Sequence, residues 1–480
     1  DNEYTNQGQT KVKKEMDGLK TTIKSFDANS LYPSAMTTYM PTNDFKMVSD
    51  ISKYTNEFIS SYSDEASIGF GVYLDWHIPE ELHDTFNDYP ITVENKCITA
   101  DMLSPKQLER RAKIASKINR KEYSISSDIP KVVPNLCKQT DVFVHYRFLK
   151  MALRMGVKID KIHSIMTFNQ APIFKEFIDL CVERRRNAVN EEERDLWKLC
   201  INSLYGKFCE NLDKRLQCVA VNSKKQLLFQ TRKIVKNRRD IAINKDLVFI
   251  QNSRNVVMQN RPKIIGNFIL QESKRIMFEF YYDVLKAKFG EGLRLLASDT
   301  DSLKIEVKTT EDFELWCWEN RTHFDNSKMP LDFIKRVVKG TEYESWSEEM
   351  LLKECKTNEK QLFKFKDEGE GVPIECFYGM KSKMYCQIPD ETYSTKLKIV
   401  CKGLARIVKD SGLNESSFKN SFDNDSMEQH HFTRIQSVDR VISTVEQSKW
   451  GINALDTKRY ELDGGYTLAH GHYKIAQLKK

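Results

Sequence analysis

The chain has 480 residues, of which 40% are hydrophobic, so it can bury a large core in roughly two to four domains or subdomains. A formal net charge of +7 at pH 7 permits a nucleic-acid partner without demonstrating one. No stretch approaches the about 18 consecutive apolar residues of a membrane span, so we expect no membrane partner.

Eleven cysteines occur without a Cys-x-x-Cys pair, which predicts neither a disulfide framework nor a zinc knuckle. A reducing intracellular compartment is the simpler interpretation. The N-terminus has neither an initiating Met nor an apolar signal core, so we expect the chain to be part of something longer.

The first predicted elements are a linker, a strand and a helix. Residues 1–20 are polar and contain glycine, which is typical of a linker. The segment KTTIKSFDANS then alternates as a strand does and stops at a turn, with Asp27 near its end. Tyr32 and Pro33 follow at once, and Pro33 suits the start of a helix.

A basic helix is predicted over residues 102–121, with Ser104 as N-cap and Pro105 at its first position. Spacings of three and four residues place five cations on one face: Lys106, Arg110, Lys113, Lys117 and Lys121. We expect this face to meet nucleic acid or an acidic protein surface. A solvated face is the alternative, because Glu109 and Glu122 lie nearby.

A helical hairpin is predicted farther along the chain. One helix runs from Pro172 to about Ala188, and the next begins at Asn190, with Glu193 completing a capping box. Three arginines lie near the hairpin tip: Arg184, Arg185 and Arg186. Such charge runs are usually solvated, but the hairpin could gather them with Lys198 around an anion such as a triphosphate.

The remaining predicted elements follow in order. Residues from about 211 to 262 are strand-like, basic and loop-rich, and an amphipathic helix then ends at Gly290. Two apolar strands flank the polar turn of SDTDS. Beyond about 390 the charged pattern predicts further helices.

Two acidic residues of SDTDS, Asp299 and Asp301, are two apart at a predicted strand end, which sends both side chains to one face. Paired carboxylates favour a divalent cation, but an isolated Asp-x-Asp is more often a solvated turn. Asp423 and Asp425 form a second such pattern.

The segment KLCINSLYGKF predicts a helix with one polar and aromatic face. Lys198, Asn202 and Tyr205 lie at positions i, i+4 and i+7 and therefore share that face. The simpler interpretation makes Tyr205 a half-buried core residue and Lys198 a surface charge.

Four segments in this order, DANSLYPS, KLCINSLYGKF, SDTDS and KSKMY, resemble the A, B and C motifs and the Lys-x-Tyr motif of family B DNA polymerases. Longer stretches, among them DTKRYELDGGYTLAHGHYKI, are similar to the protein-primed branch, especially the polymerases of Polinton (Maverick) transposons and related eukaryotic viruses. The resemblance covers roughly residues 21–475.

The resemblance implies an α+β right-hand polymerase, whose palm carries an antiparallel sheet and whose fingers are helical. The expected segments are a linker (1–20), palm with the A motif (21–50), a first insertion with palm elements (51–168), fingers with the B motif (169–210), a second insertion (211–262), palm with the C and Lys-x-Tyr motifs (263–389) and a thumb (390–480).

The resemblance also implies a two-metal site that uses Mg²⁺, with Mn²⁺ as the alternative. Asp27 and Asp301 would bridge both ions, and Asp299 would be the third carboxylate. Backbone N–H groups of about Asn29 to Leu31, Ser30 included, would meet the triphosphate. Tyr32 would lie under the deoxyribose and leave no space for a 2′-hydroxyl.

Further nucleotide contacts are implied for the helical hairpin. Lys198 and Arg186 would hold phosphates, with Arg185 as their substitute. Asn202 and Tyr205 would shape the pocket of the nascent base pair. Catalysis would then consist mostly of positioning and charge neutralisation.

Lys383 and Tyr385 match the Lys-x-Tyr motif, which in the family steadies the primer terminus. The chain departs from the family at Ala297 and Ser298, where an aromatic residue often precedes the C motif, so a contact to the nucleotide is expected to be lost. Only 26 residues precede Asp27, and we expect no exonuclease domain in them.

The sequence therefore predicts protein-primed, DNA-templated DNA synthesis for a mobile element or virus, in the nucleus of a eukaryotic host. The expected partners are template–primer DNA, dNTPs and a terminal protein primer. A polymerase relic that only binds DNA is the first alternative. A two-metal nuclease is the second, although Tyr32, Lys198 and Asn202 have no use in hydrolysis.

Overall fold

A computed structural model describes most of the chain. The described residues are 3–5, 8–11, 18–117, 130–254, 256–393, 398–404, 412–438, 441–463 and 466–479.

The described strands are β1 (Glu3–Thr5), β2 (Gly8–Lys11), β3 (Lys20–Ala28), β4 (Met40–Met47), β5 (Ile68–His77), β6 (Val93–Lys96), β7 (Lys131–Pro134), β8 (Gln139–His145), β9 (Lys158–Ala171), β10 (Leu216–Val221), β11 (Val235–Ala242), β12 (Val248–Arg254), β13 (Leu293–Asp299), β14 (Ser302–Thr309), β15 (Phe365–Asp367), β16 (Ile374–Lys381), β17 (Met384–Pro389), β18 (Lys398–Cys401), β19 (Gln429–Val438), β20 (Val441–Trp450), β21 (Arg459–Glu461) and β22 (Thr467–Ala469).

The described α-helices are α1 (Leu31–Met36), α2 (Asn56–Ser61), α3 (His83–Phe86), α4 (Pro105–Lys117), α5 (Tyr146–Arg154), α6 (Lys175–Arg186), α7 (Glu191–Phe208), α8 (Lys224–Thr231), α9 (Lys263–Glu279), α10 (Ala287–Phe289), α11 (Phe313–Glu319), α12 (Leu331–Val337), α13 (Glu348–Lys356), α14 (Glu415–Asn424) and α15 (Tyr473–Leu478). A π-helical segment, Phe280–Lys286, joins α9 to α10.

A five-stranded antiparallel sheet carries the predicted acidic motifs, with strand order β1-β13-β14-β3-β15. Its middle strands are buried on both faces: in β3 every residue from Ile23 to Phe26 is buried, and in β14 every residue from Ser302 to Val307. The two predicted strands around SDTDS are confirmed as β13 and β14. The ends of β3, β13 and β14 are therefore anchored in the core.

The long helix that was expected to end at Gly290 packs beside this sheet. Its π-helical continuation places the ring of Phe280 on Phe365 of β15, with centroids 3.6 Å apart, and edge-on against Phe26 of β3. Gly290 has φ of 50°, a left-handed conformation that glycine adopts without strain. The predicted end of the helix is confirmed.

Helices α6 and α7 form the predicted hairpin. The side chain of Asn190 accepts a hydrogen bond from the N–H of Glu193 at 2.8 Å, which confirms the predicted cap. The Glu193 carboxylate accepts from the N–H of Val189 at 3.2 Å, one residue earlier than in a standard capping box. Few residues of the hairpin are buried, so it projects from the core.

Smaller antiparallel sheets surround the central one. Their strand orders are β4-β9-β5-β8, β18-β17-β16-β2 and β10-β12-β11, with two-stranded pairs β6-β7, β19-β20 and β21-β22. The sheet of β10 to β12 confirms the strand-like pattern of residues 211–262. In the described part of the chain, no helix has the length and apolarity needed to cross a bilayer.

Two expectations are wrong. Residues 1–20 are not simply a linker, because β1 pairs with β13 and β2 pairs with β16. The region beyond about 390 is rich in strands: β19 and β20, each of ten residues, pair along their whole length, and the described helices there are only α14 and α15. β-branched residues such as Ile435, Val441 and Val445 favour these strands over the helices that the charge pattern indicated.

Candidate active site

Three strand ends bring the predicted carboxylates to one edge of the central sheet. Asp27 is opposite Ser302 in the pairing of β3 with β14, and Asp299 is opposite the same serine in the pairing of β13 with β14. The turn between β13 and β14 carries Asp301, whose carbonyl oxygen accepts a hydrogen bond from the N–H of Ala28 at 2.7 Å. A backbone hydrogen bond therefore joins the A motif directly to the C motif.

The turn at Thr300 is tighter than a simple strand end. Thr300 has φ of 61°, and the N–H of Asp301 donates to the carbonyl oxygen of Asp299 at 2.7 Å, as in a three-residue turn. Strand alternation therefore does not extend to Asp301. It is this turn, and not the alternation that was predicted, that sets the position of Asp301 relative to Asp299. Strained turns of this kind concentrate at functional sites.

The carboxylates at this edge hold protons more tightly than usual. Burial and the negative charges of Asp301 and Glu368 raise the pKa of Asp27 to about 7. Burial also raises the pKa of Asp301, to which Asp299 and Glu368 contribute. These carboxylates repel one another and are only partly solvated. A bound cation would therefore stabilise their ionised forms.

A buried network that the sequence did not indicate lies beneath these carboxylates. Lys304, which is 2% exposed, donates to the Ser302 hydroxyl at 2.6 Å and lies 3.3 Å from the Glu368 carboxylate. The Ser25 hydroxyl also donates to Glu368. Burial opposes ionisation of Glu368, yet Lys304, Ser25 and Lys398 lower its pKa to about 2. The lysine and glutamate are thus held charged side by side.

The Lys-x-Tyr residues reach the same edge from the hairpin of β16 and β17. The ammonium group of Lys383 lies 3.5 Å from a carboxylate oxygen of Asp299. Tyr385 is buried, stacks on Phe377 with centroids 5.6 Å apart, and lies under the Lys304 ammonium at 5.8 Å from its ring centroid. The structure thus brings the C motif and the Lys-x-Tyr motif together.

The small residues before the C motif are buried in β13. Ala297 is 1% exposed and Ser298 is 3% exposed. Ala297 belongs to one apolar cluster with Phe377 and Tyr385. The loss of an aromatic contact to the nucleotide at these positions stays a prediction.

The turn after Asp27 has the sharp geometry that was expected. Ser30 adopts a left-handed conformation with φ of 49° and precedes helix α1. Leu31 is buried in the core, so only its backbone can face a ligand. The ring of Tyr32 stacks on Tyr205 of α7 with centroids 4.2 Å apart, which joins the A motif to the B motif.

The other hairpin residues differ in exposure. Lys198 and Asn202 are exposed on α7. Arg186 is exposed and donates to the carbonyl oxygen of Glu359 at 3.3 Å. Arg185 is partly buried, and burial lowers its pKa. Both Lys198 and Arg186 are therefore accessible to an anion.

The basic face of α4 is not the open surface that was expected. Arg110 is 4% exposed and donates to the carboxylates of Asp425 and Glu461 and to the carbonyl oxygen of Ala454. The predicted N-cap is confirmed, because the Ser104 hydroxyl accepts from the N–H of Gln107 at 3.2 Å.

The neighbouring cations share these acidic partners. Lys106 lies 2.9 Å from Glu461, Lys113 lies 3.5 Å from Asp425, and Lys117 donates to the Asp425 carbonyl oxygen at 2.9 Å. Lys121 lies outside the described residues. The stripe thus binds the C-terminal part of its own chain, whose acids are too distant in sequence for a helix pattern to reveal.

The donor set at the sheet edge suits a hard divalent cation only in part. Among the described residues, no group of three or more His, Cys, Asp or Glu is arranged to hold a metal ion. Asp27 and Asp301 nevertheless supply oxygen donors and excess negative charge, and Mg²⁺ needs few protein carboxylates when substrate phosphates complete its shell. Asp27 and Asp301 therefore fit a divalent cation, whereas Asp299 is paired with Lys383.

Comparison with solved structures shows a similar fold. The phi29 DNA polymerase in an orthorhombic crystal form has a TM-score of 0.50 at 14% identity, over 93% of this chain and 61% of that chain. Its ternary complex with primer–template DNA and incoming nucleotides has a TM-score of 0.47 at 14% identity, over 94% of this chain and 61% of that one. This chain thus spans less than two thirds of phi29 polymerase.

Sequence comparison finds a family similarity over part of the chain. Curated proteins give no significant match to the sequence. Residues 137–280, which include the B motif, match the family described as DNA polymerase type B, organellar and viral. Over this part of the chain, the match agrees with the resemblance to family B DNA polymerases.

Proposed function

We propose that the chain catalyses DNA-templated DNA synthesis. The observation that carries the proposal is the junction of the A and C motifs, where the N–H of Ala28 binds the carbonyl oxygen of Asp301 beside Asp27. Burial and neighbouring carboxylates raise the pKa of both carboxyl groups. The family match over residues 137–280 supports polymerisation over other uses of paired carboxylates.

In this proposal Asp27 and Asp301 hold two divalent cations, with Asp299 as a third carboxylate. The cations would activate the primer 3′-hydroxyl and neutralise charge on the triphosphate. Mg²⁺ is the proposed metal, and Mn²⁺ would be an acceptable substitute. The chain's own contribution is to hold carboxylates at a rigid sheet edge with little reorganisation.

The nucleotide would lie between the turn after Asp27 and the hairpin of α6 and α7. Backbone N–H groups of Ser30 and Leu31 would contact the triphosphate, and Lys198 and Arg186 would neutralise its outer charge. Tyr32, held by its stack on Tyr205, would lie under the sugar. Asn202 would face the base pair and Arg185 would substitute for Arg186.

The right-hand division of the polymerase is proposed on the same basis. The central sheet would be the palm, the hairpin of α6 and α7 the fingers, and the region beyond about 390 the thumb. Lys383 and Tyr385 would steady the primer terminus, because they adjoin Asp299 and the buried Lys304. Template–primer DNA and dNTPs are the partners that this activity requires.

Protein-primed replication of a mobile element or virus is the proposed context. The segments 51–168 and 211–262 fold as additional strands and helices between the motifs, as expected for the two insertions. The fold likeness to phi29 polymerase supports this branch. A terminal protein would then supply the first priming hydroxyl, and a eukaryotic nucleus is the proposed location.

Primer extension with Mg²⁺ and each dNTP tests the proposal. We expect the purified chain to add the nucleotide that the template specifies. DNA binding without extension would favour the relic, and degradation of the primer would favour the nuclease. An Asp27→Asn variant provides the negative control, because it removes one proposed metal ligand.

A further inference from the structure

A buried carboxylate outside the recognised motifs contacts the turn that follows Asp27. Asp325, which is 2% exposed, lies between α11 and α12. One of its carboxylate oxygens accepts hydrogen bonds from the side-chain Nδ2 of Asn29 and from the N–H of Lys360, both at 2.8 Å. The other oxygen accepts from the N–H of Ser327 at 3.1 Å. Three donors compensate the carboxylate for its loss of water.

The segment that shares Asp325 with the A motif, residues 358–364, is here named the buttress segment. Its Lys364 carbonyl oxygen accepts from the N–H of Asn29 at 2.8 Å, and the N–H of its Phe363 donates to the Ser34 hydroxyl of α1 at 3.1 Å. The buttress segment therefore contacts the A motif on both sides of the Ser30 turn.

The buttress segment has an unusual backbone that needs external support. Lys360 has φ of 53° and Phe363 has φ of 61°, a left-handed region that such residues seldom adopt. Asp325 supplies support by accepting from the N–H of Lys360 and by donating its own N–H to the carbonyl oxygen of Phe365 at 2.9 Å. One carboxylate thus fixes both the buttress segment and Asn29.

We propose that Asp325 is a positioning residue for the choice of nucleotide sugar. Through Asn29 and the buttress segment it fixes the turn at Ser30, and this turn sets where the Tyr32 ring stands against the sugar of a bound nucleotide. The inference rests on the proposed polymerase function. It assigns a residue outside the motifs to discrimination between dNTPs and rNTPs.

The connection to the phosphate side of the site strengthens this assignment. Arg186 donates to the carbonyl oxygen of Glu359, which belongs to the buttress segment. The segment thus contacts both the turn beneath the sugar and an arginine of the helical hairpin. A shift of the segment would move the sugar-side and phosphate-side contacts together.

The test compares Asp325→Asn with the unaltered chain in single-nucleotide incorporation. The substitution keeps the side-chain volume but removes the charge and replaces one acceptor with a donor. We expect KM for dNTPs to rise and the ratio of kcat/KM for dNTP over rNTP to fall about tenfold, since a hydrogen bond to a charged group is worth that factor or more. Asp332→Asn, which alters an exposed acid on α12, is the matched control.

Asn29→Ala is a second variant, which removes the hydrogen bond between Asn29 and Asp325 by deleting its donor. We expect it to lower the ratio in the same direction, and the double variant to be no worse than the more impaired single variant. A normal ratio in Asp325→Asn, even with a lower melting temperature, would show a merely structural role and overturn the proposal. If Asp325→Asn does not fold, a normal ratio in Asn29→Ala overturns it. Failure of the unaltered chain to incorporate any nucleotide would instead remove the polymerase proposal itself.

Discussion

The rings of Tyr32 and Tyr205 are stacked, with centroids 4.2 Å apart and planes inclined by 15°. Tyr32 belongs to α1 beside the acidic sheet edge, whereas Tyr205 belongs to α7 in the projecting hairpin. Offset or stacked aromatic pairs contribute about 0.5–1.5 kcal/mol beyond their buried area. The contact therefore fixes the orientation of Tyr32 and links two motifs that are distant in the chain.

Replacing Tyr32 with Val should lower discrimination against ribonucleotides, because the smaller side chain leaves space for a 2′-hydroxyl. The measurement is the ratio of kcat/KM for dNTP over rNTP. Tyr205→Phe keeps the stacked ring and should leave the ratio close to that of the unaltered chain. An unchanged ratio in Tyr32→Val would place the sugar gate elsewhere.

Ionisation of Asp27 should lower the stability of the metal-free chain as pH rises from about 4 to about 7. Burial and nearby carboxylates raise the pKa of Asp27 to about 7, against about 3.9 in an unfolded chain, so the folded state binds the additional proton in this range. The stabilising contribution of protonated Asp27 is complete below the unfolded pKa and is lost as pH rises through the folded pKa.

Thermal unfolding across this pH range, with and without Mg²⁺, measures the effect. Mg²⁺ should raise the melting temperature more at pH 8 than at pH 5, since it binds the ionised carboxylates. Asp27→Asn should change the slope of stability against pH in the metal-free chain by about one proton, because the titration of Asp27 is removed. An equally steep dependence in that variant would show that other groups control it.

Replacing Arg110 with Gln should destabilise the fold rather than weaken DNA binding. The guanidinium is buried with the carboxylates of Asp425 and Glu461, and removing one partner of a buried ion pair costs about 3–5 kcal/mol. Lys113→Gln is the matched control, because its ion pairs are exposed and screened by solvent and should contribute little to stability.

Denaturant unfolding of both variants checks the Arg110 prediction, paired with DNA affinity across a salt series. We expect a lower midpoint only for Arg110→Gln and a salt slope equal to that of the unaltered chain. A flatter slope with normal stability would restore the original interpretation of α4 as a DNA-binding face.

Local patterns were sufficient for elements whose partners lie nearby in sequence. The Asn190 cap, the end of the long helix at Gly290 and the strands around SDTDS each depend on neighbouring residues, and each was predicted. The order of the motifs indicated a resemblance to family B polymerases, and a family match over residues 137–280 supports it.

Contacts between distant segments could not be predicted in this way. Arg110 looked like a surface cation because its partners, Asp425 and Glu461, lie far along the chain. Lys304 and Asp325 carried no motif signal, since each acts through a buried network assembled only by the fold. The hairpin of β19 and β20 differs from the predicted helices because its β-branched residues favour strands more strongly than the charge pattern favours helices.

Single-turnover incorporation by Asp27→Asn and Asp301→Asn, with DNA affinity measured in parallel, tests the central claim most directly. Asp423→Asn, which alters the other Asp-x-Asp pattern at an exposed position, is the matched control. Loss of a metal ligand should slow incorporation by about a thousandfold or more, while DNA affinity stays near that of the unaltered chain. Incorporation at the normal rate by either variant would contradict the assignment of the catalytic site.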